Sequence, residues 1–161
     1  MTLNRLTRIA LLAALASVLR LVFGAWPNVK PITALFFVII LSFGLLEAIA
    51  VSALTMLVTG FLMGFSVIVL GQIISYALIL ILGVLGFKVI KGLGFRIGLV
   101  FVLTLLYGAA MALFTAPLFA SPILAFWLSG LTFDLTHAVS TALFFPILLT
   151  IFKNSLKKDL I

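Results

Sequence analysis

A chain of 161 residues that is 66% hydrophobic and only 8% charged cannot cover itself with the polar surface a soluble domain needs. Its net charge of +7 is spread in clusters between apolar runs rather than on one patch, which excludes a nucleic-acid-binding reading. There is no cysteine, so disulfides, thiol catalysis and thiolate metal sites are excluded as well.

Long apolar runs without strand-like alternation predict an all-α integral membrane protein. The expected architecture is a single domain, residues 1–161, of six transmembrane helices with both termini inside (N-in/C-in) and a short second helix.

The first span runs from about Leu6 to Gly24. No small-x-small cleavage site follows Arg5, Arg8 and this apolar run, so it reads as a retained helix and not a signal peptide. Within "RIALLAALASVLR", Ala10 and Ala14 lie four apart on one face, with Ala13, Ala16 and Ser17 nearby. Small residues at that spacing let a second helix approach closely, which makes this half of the span a candidate docking face for another membrane subunit. Arg20, about a turn from the outer end, either snorkels to the interface or adds positive charge to an outward-facing cavity.

The loop that follows, "AWPNVKP", is stiffened by two prolines and offers Trp26, Asn28 and Lys30. It reads as an interfacial anchor or as a lid over a pocket. The second span, Ile32 to Phe43, is short. A dozen residues cover roughly 18 Å of a hydrocarbon core of about 30 Å, so this helix is expected to be partial or tilted and sheltered by its neighbours. The third span, Leu45 to Phe61, carries Glu47 near its inner end, where packing or a partner contact is expected. The fourth, Val67 to Phe87, carries Gln72 and Tyr76 at i and i+4, either as interhelical glue or as part of a pocket. The fifth covers Ile97 to Leu113; the sixth, Ile123 to Phe152, is long enough for Pro146 to kink it.

Orientation follows from the charges. Arg5 and Arg8 flank span one, Lys88, Lys91 and Arg96 join spans four and five, and Lys153, Lys157 and Lys158 follow span six. An even number of spans puts all three clusters on the cytoplasmic side and leaves Lys30 on the other. No internal repeat is visible, which sets the chain apart from carriers built of two inverted halves.

Ionisable residues inside the membrane cost roughly 2.5–3.5 kcal/mol each and are functional candidates by default. "LTFDLTHAVST" places Asp134 and His137 deep in span six, and their face extends to a polar stripe of Trp127, Gly130, Asp134, His137 and Thr141. Three readings follow: the pair only locks helix packing, it forms a pocket wall that hydrogen-bonds a ligand, or it relays protons. No Walker A sequence, HExxH, GxSxG or carboxylate-rich metal motif is present. The chain is therefore not expected to be an enzyme, or to hold a cofactor or metal. Any uphill transport must draw on ions or on other chains.

Across essentially its whole length the chain resembles the substrate-binding S components of energy-coupling factor (ECF) vitamin transporters. The resemblance rests on six short spans, on "RLTRIALLAALASVLRL" with its AxxxA at Ala10 and Ala14, and on "PNVKPITAL" leading into span two. It implies high-affinity binding of a water-soluble vitamin or precursor from outside a prokaryotic plasma membrane. It also implies docking through Ala10 and Ala14 on a transmembrane coupling subunit driven by two cytosolic ATPases, with the bound subunit toppling in the bilayer. The pocket would lie in the outer half, where Trp26, Asn28, Lys30, Gln72, Tyr76, Trp127, Asp134 and His137 fall. The brief loop "GFLMGFS" departs from the longer lids of some relatives and suits a small ligand. A single acid with a histidine, an amide and aromatics suits a neutral heteroaromatic such as hydroxymethylpyrimidine or a pyridoxine-like vitamin. Pantothenate, which would use Arg20 and Lys30, and cobalamin are the alternatives, and a stand-alone proton-coupled carrier is the competing class.

Overall fold

The structure, a computed structural model, describes residues 3–157 and residue 160. Lys158, assigned above to the last basic cluster, lies outside them. The chain is an all-α, multi-pass membrane protein. Its elements are α1 (Leu3–Val22) with a short 3-10 turn (Phe23–Ala25), α2 (Pro31–Phe43), α3 (Leu45–Met63), α4 (Val67–Val89), α5 (Leu93–Thr115) with a second 3-10 turn (Ala116–Phe119), and α6 (Ile123–Leu156). Five of the six helices are long and apolar enough to cross a bilayer, and α2 is the short one.

α2 is apolar on every side, and a helix with that pattern has to be surrounded. Eleven of its 13 residues are buried, and all five long helices touch it. α1 packs on α3, α3 on α4, α4 on α5 and α5 on α6, forming an arc around this central rod. Gly44 alone joins α2 to α3; its φ of 99° makes the reversal in one residue, a conformation that a side chain would strain. The outward surfaces of the long helices are lined by residues such as Leu11, Phe61, Leu85, Phe95 and Leu143. Exposed apolar surface on this scale is what a lipid-facing wall requires.

Between apolar helices in lipid, association depends on close packing and on hydrogen bonds that keep polar groups satisfied. Buried hydroxyls therefore bond back along their own helices, as Ser17 does to Ala13, Thr55 to Val51 and Thr104 to Val100. α6 runs unbroken across Pro146. α5 begins at Leu93, earlier than the hydropathy suggests, because Arg96 is satisfied within the bundle. Its Nη1 donates to the Leu160 carbonyl at 2.7 Å and its Nε to the Ile90 carbonyl at 3.3 Å.

One end of the bundle collects the basic clusters. Arg8 lies over the Phe43 ring at 4.3 Å, Phe43 meets Phe152 of α6, and Arg96 ties the α4–α5 link to Leu160. By the charge rule this is the inner end. Glu47 sits here, 4% exposed, and accepts from Arg8 Nε and Nη2 at 2.8 and 2.6 Å. Arg5 Nε adds an ion contact at 3.2 Å that lacks hydrogen-bond geometry. Of the two roles open to Glu47, the structure shows packing: it fastens α1 to α3. The two arginine side chains are themselves part-exposed, so Arg8→Ala is expected to cost only about 1–2 kcal/mol, below a fully buried pair. Thermal unfolding in detergent at low and high salt measures it, and the loss should shrink with salt.

Candidate functional site

The polar residues of the interior gather where α2 begins. The loop before α2 turns at Asn28, which adopts a left-handed φ of 56°, and then descends into the bundle. The Lys30 backbone N–H donates to the Ser140 hydroxyl of α6 at 3.1 Å, well below the outer end of that helix. α2 thus starts inside the membrane, which explains how thirteen residues suffice for it.

Thr33, in the first turn of α2, is fully buried. Its hydroxyl lies 2.9 Å from the Tyr76 hydroxyl of α4 and 2.8 Å from His137 Nε2 of α6. Tyr107 of α5 completes the group, its ring 4.4 Å from that of Tyr76 and edge-on to His137 at 5.6 Å. Two proton orderings satisfy the chain. Either Tyr76 donates to Thr33 and Thr33 to the imidazole, or a protonated Nε2 donates to Thr33 and Thr33 to Tyr76. In both, a single threonine hydroxyl joins α2, α4 and α6.

Nearer the outer end, Arg20 is turned inward and does not snorkel. Its Nη2 donates to Gln72 Oε1 of α4 at 3.1 Å, and Nη1 contacts the Met56 sulfur of α3. Across from it, Asp134 Oδ2 accepts from Trp127 Nε1 at 3.1 Å. The Asp134 carboxylate lies against the backbone of Gly108, and a Cβ at Gly108 would overlap it. Tyr107, Gly108, Trp127, Gly130 and Asp134 border a cavity of about 130 Å³ between the outer halves of α5 and α6. A larger groove of about 450 Å³ follows the outside of α4, α5 and α6. Apart from Trp127, whose indole N–H is taken up by Asp134, its walls are aliphatic and suit lipid.

These positions revise the reading of the stripe on α6. Asp134 and His137 do not meet: one bonds Trp127, the other Thr33. His137 is 2% exposed, and with Tyr76 it is enclosed in helix packing, so Asp134 alone of the pair borders the cavity. The two side chains are therefore not a directly hydrogen-bonded pair. Gln72 reaches the cluster through Arg20. Trp26 is 55% exposed and its ring lies tilted against Phe23 at 5.5 Å, while Phe23 packs edge-on against Phe144 of α6. Trp26 and Asn28 thus shape the loop, and Lys30 is the loop residue brought to the cluster. On α1 the alanines divide: Ala13 and Ala16 are buried, while Ala10 and Ala14 face outward.

Thr33, Tyr107, Ser140 and Gly108 belong to the site and were not singled out above. Thr33 was the one to find, as the lone polar residue within "PITALFFVII". Gly108, beside Tyr107 in "LLYGAA", has no signal of its own, because its partner is far away in sequence. No group of three or more metal-ligating side chains occurs among the described residues.

Lys30 is the titratable group of the loop. Burial, and next the Arg20 guanidinium, push its ammonium down to about 8, and Asp134 opposes the shift. Other groups near the cluster are His137, Tyr76 of α4 and Tyr107 of α5. Between about pH 8 and 10.5 the unfolded chain holds more protons at this position than the folded one, so folding becomes more favourable as pH rises through that window. Comparing melting temperatures of wild type and Lys30→Met across it should show a rising difference. A flat difference would mean the ammonium is freely solvated.

Comparison with family models, curated proteins and solved structures finds no match for the chain.

Proposed function

We propose that the chain is the membrane-embedded solute-binding subunit of an importer, capturing a small water-soluble vitamin or precursor from outside a prokaryotic plasma membrane. The observation that carries this reading is polar chemistry drawn into the outer half of the bundle: Arg20 turns inward onto Gln72, the Lys30 backbone descends to Ser140, and Asp134 borders a cavity there. Charged groups placed within a bilayer at such cost call for a role beyond packing. A helix that begins at mid-depth and is walled in by its neighbours is a recurrent way to build a midplane site.

The resemblance to ECF S components adds the energy source and the partner. In this proposal a transmembrane coupling subunit docks on the outward Ala10–Ala14 face, two cytosolic ATPases drive it, and the chain itself hydrolyses nothing. The separation of the buried Ala13 and Ala16 from the outward Ala10 and Ala14 supports that division of labour, since a surface free of intramolecular packing is available to a partner.

The closed Thr33–Tyr76–His137 group favours a second reading, in which the cluster only locks the helices of a structural subunit. Binding of a vitamin panel to the purified chain separates the two. The transport reading expects micromolar or tighter binding of one member, weakened at least tenfold by Asp134→Asn, with Ala10→Trp binding normally and failing to assemble. If Asp134→Asn lowers only the melting temperature and no panel member binds, the structural reading stands.

A further inference from the structure

The chain has three acidic residues, Glu47, Asp134 and Asp159. Glu47 is taken up by Arg5 and Arg8 at the inner end, and Asp159 lies outside the described residues. Among the described residues the outer half holds two cations, Arg20 and Lys30, and one carboxylate, Asp134. Neither cation has a carboxylate within ion-pair distance among the described residues: the guanidinium contacts an amide oxygen and a thioether, and Asp134 accepts from an indole.

A helix end of the same sign and an unpartnered hydroxyl add to this. α2 starts at this cluster with no side-chain cap, so the positive end of its dipole and the free N–H groups of its first turn are directed there. Ser75, one turn below Gln72 on the same face of α4, is fully buried and its hydroxyl has no partner. The carbonyl end of α1 beside Arg20 offsets only a fraction of one charge. The outer cluster thus carries an excess positive charge in a low-dielectric setting, together with hydrogen-bond donors that lack an acceptor.

We propose that the solute is a small monoanion whose carboxylate is held between Arg20, Lys30 and the first turn of α2, while Asp134 accepts from a hydroxyl or amide N–H elsewhere on it. The inference rests on the solute-binding reading and specifies its substrate class. The bound anion neutralises the cluster, which is the usual use of a buried half-helix N-terminus with adjacent cations. The charge accounting also places a carboxylic acid ahead of the neutral heteroaromatic that polar composition alone suggested.

The test uses the full chain in lipid nanodiscs with acid and neutral pairs of one scaffold: pantothenate against pantothenol, and nicotinate against nicotinamide. It is joined by mass spectrometry of the small molecules released from the purified chain. The expected result is a released carboxylate, or a preference of at least tenfold for the acid of one pair. That preference should be lost in Arg20→Gln and Lys30→Gln, kept largely in Arg20→Lys, and weakened as pH rises past 8. The acid-to-neutral ratio is read for each variant, so a loss of fold stability, which lowers both members alike, is distinguishable from a loss of charge recognition. A neutral released solute, equal affinity within every pair that binds, or undiminished preference in Arg20→Gln overturns the inference and leaves the solute-binding reading standing. Complete absence of a released solute and of binding by all four probes overturns both.

Discussion

Gly108→Ala should displace the Asp134 carboxylate, break its bond to Trp127 and destabilise the chain by about 2–4 kcal/mol, combining overpacking with loss of a hydrogen bond to a charged acceptor. The reason is local. α5 and α6 approach so closely at this level that the carboxylate occupies the space of a Gly108 Cβ. An added methyl cannot be relieved by a small rotamer adjustment, because the obstructing atoms are an acid that must keep a polar partner inside the membrane. The readout is direct: the chain has two tryptophans, so in a Trp26→Phe background the emission reports Trp127 alone. Gly108→Ala should shift that emission and lower the melting temperature together. Gly130→Ala is the matched control, since a Cβ there meets nothing within 4 Å. It should leave the emission unchanged and improve helix stability by up to about 1 kcal/mol. Equal behaviour of the two variants would show that Asp134 does not rest against α5.

Thr33→Val should cost about 2–4 kcal/mol, because it keeps the shape of the side chain and removes the hydroxyl shared by two buried groups. The Tyr76 hydroxyl and His137 Nε2 would each lose the partner now at 2.9 and 2.8 Å. Each orphaned group carries a desolvation penalty of about 1–3 kcal/mol, reduced where one finds the other. Thr33→Ser should restore most of the stability, which separates the hydroxyl from the methyl. Unfolding in detergent with a titrated denaturant gives the difference. A Thr33→Val loss under about 0.5 kcal/mol would mean that both groups find partners as good as Thr33 elsewhere in the membrane-embedded chain.

The two variants differ in how far their effects were foreseeable. Thr33 stands out in sequence as a hydroxyl in an otherwise apolar helix, and a buried polar residue there must find a partner. That the partners would be Tyr76 and His137, from helices forty or more positions away, follows only from how the helices pack around α2. Gly108 is legible in neither respect. Glycine is common in membrane helices, and its role depends on which side chain lies opposite it.

Asp134 and His137 teach the complementary lesson. Spacing of three residues places them on one side of α6, and this holds. Sharing a side is not sharing a partner: α2 and α4 meet His137 at one level, while Asp134 faces α5 at another. Arg20 was open between interface and cavity for the same reason. A long side chain at a helix end can turn either way, and only the placement of Gln72 and Met56 turns it inward.

The number of helices, the shortness and central position of α2 and the grouping of basic clusters at one end were determined by the sequence alone. Each depends on the free energy of moving residues between water and lipid, a sum over neighbours in the chain. The pairing of Arg20 with Gln72, the Thr33 junction, the separation of Asp134 from His137 and the cavity beside Gly108 were decided by the tertiary structure. These depend on distances between atoms of different helices, and a shift of a single ångström makes or breaks a hydrogen bond without changing the hydropathy of the chain.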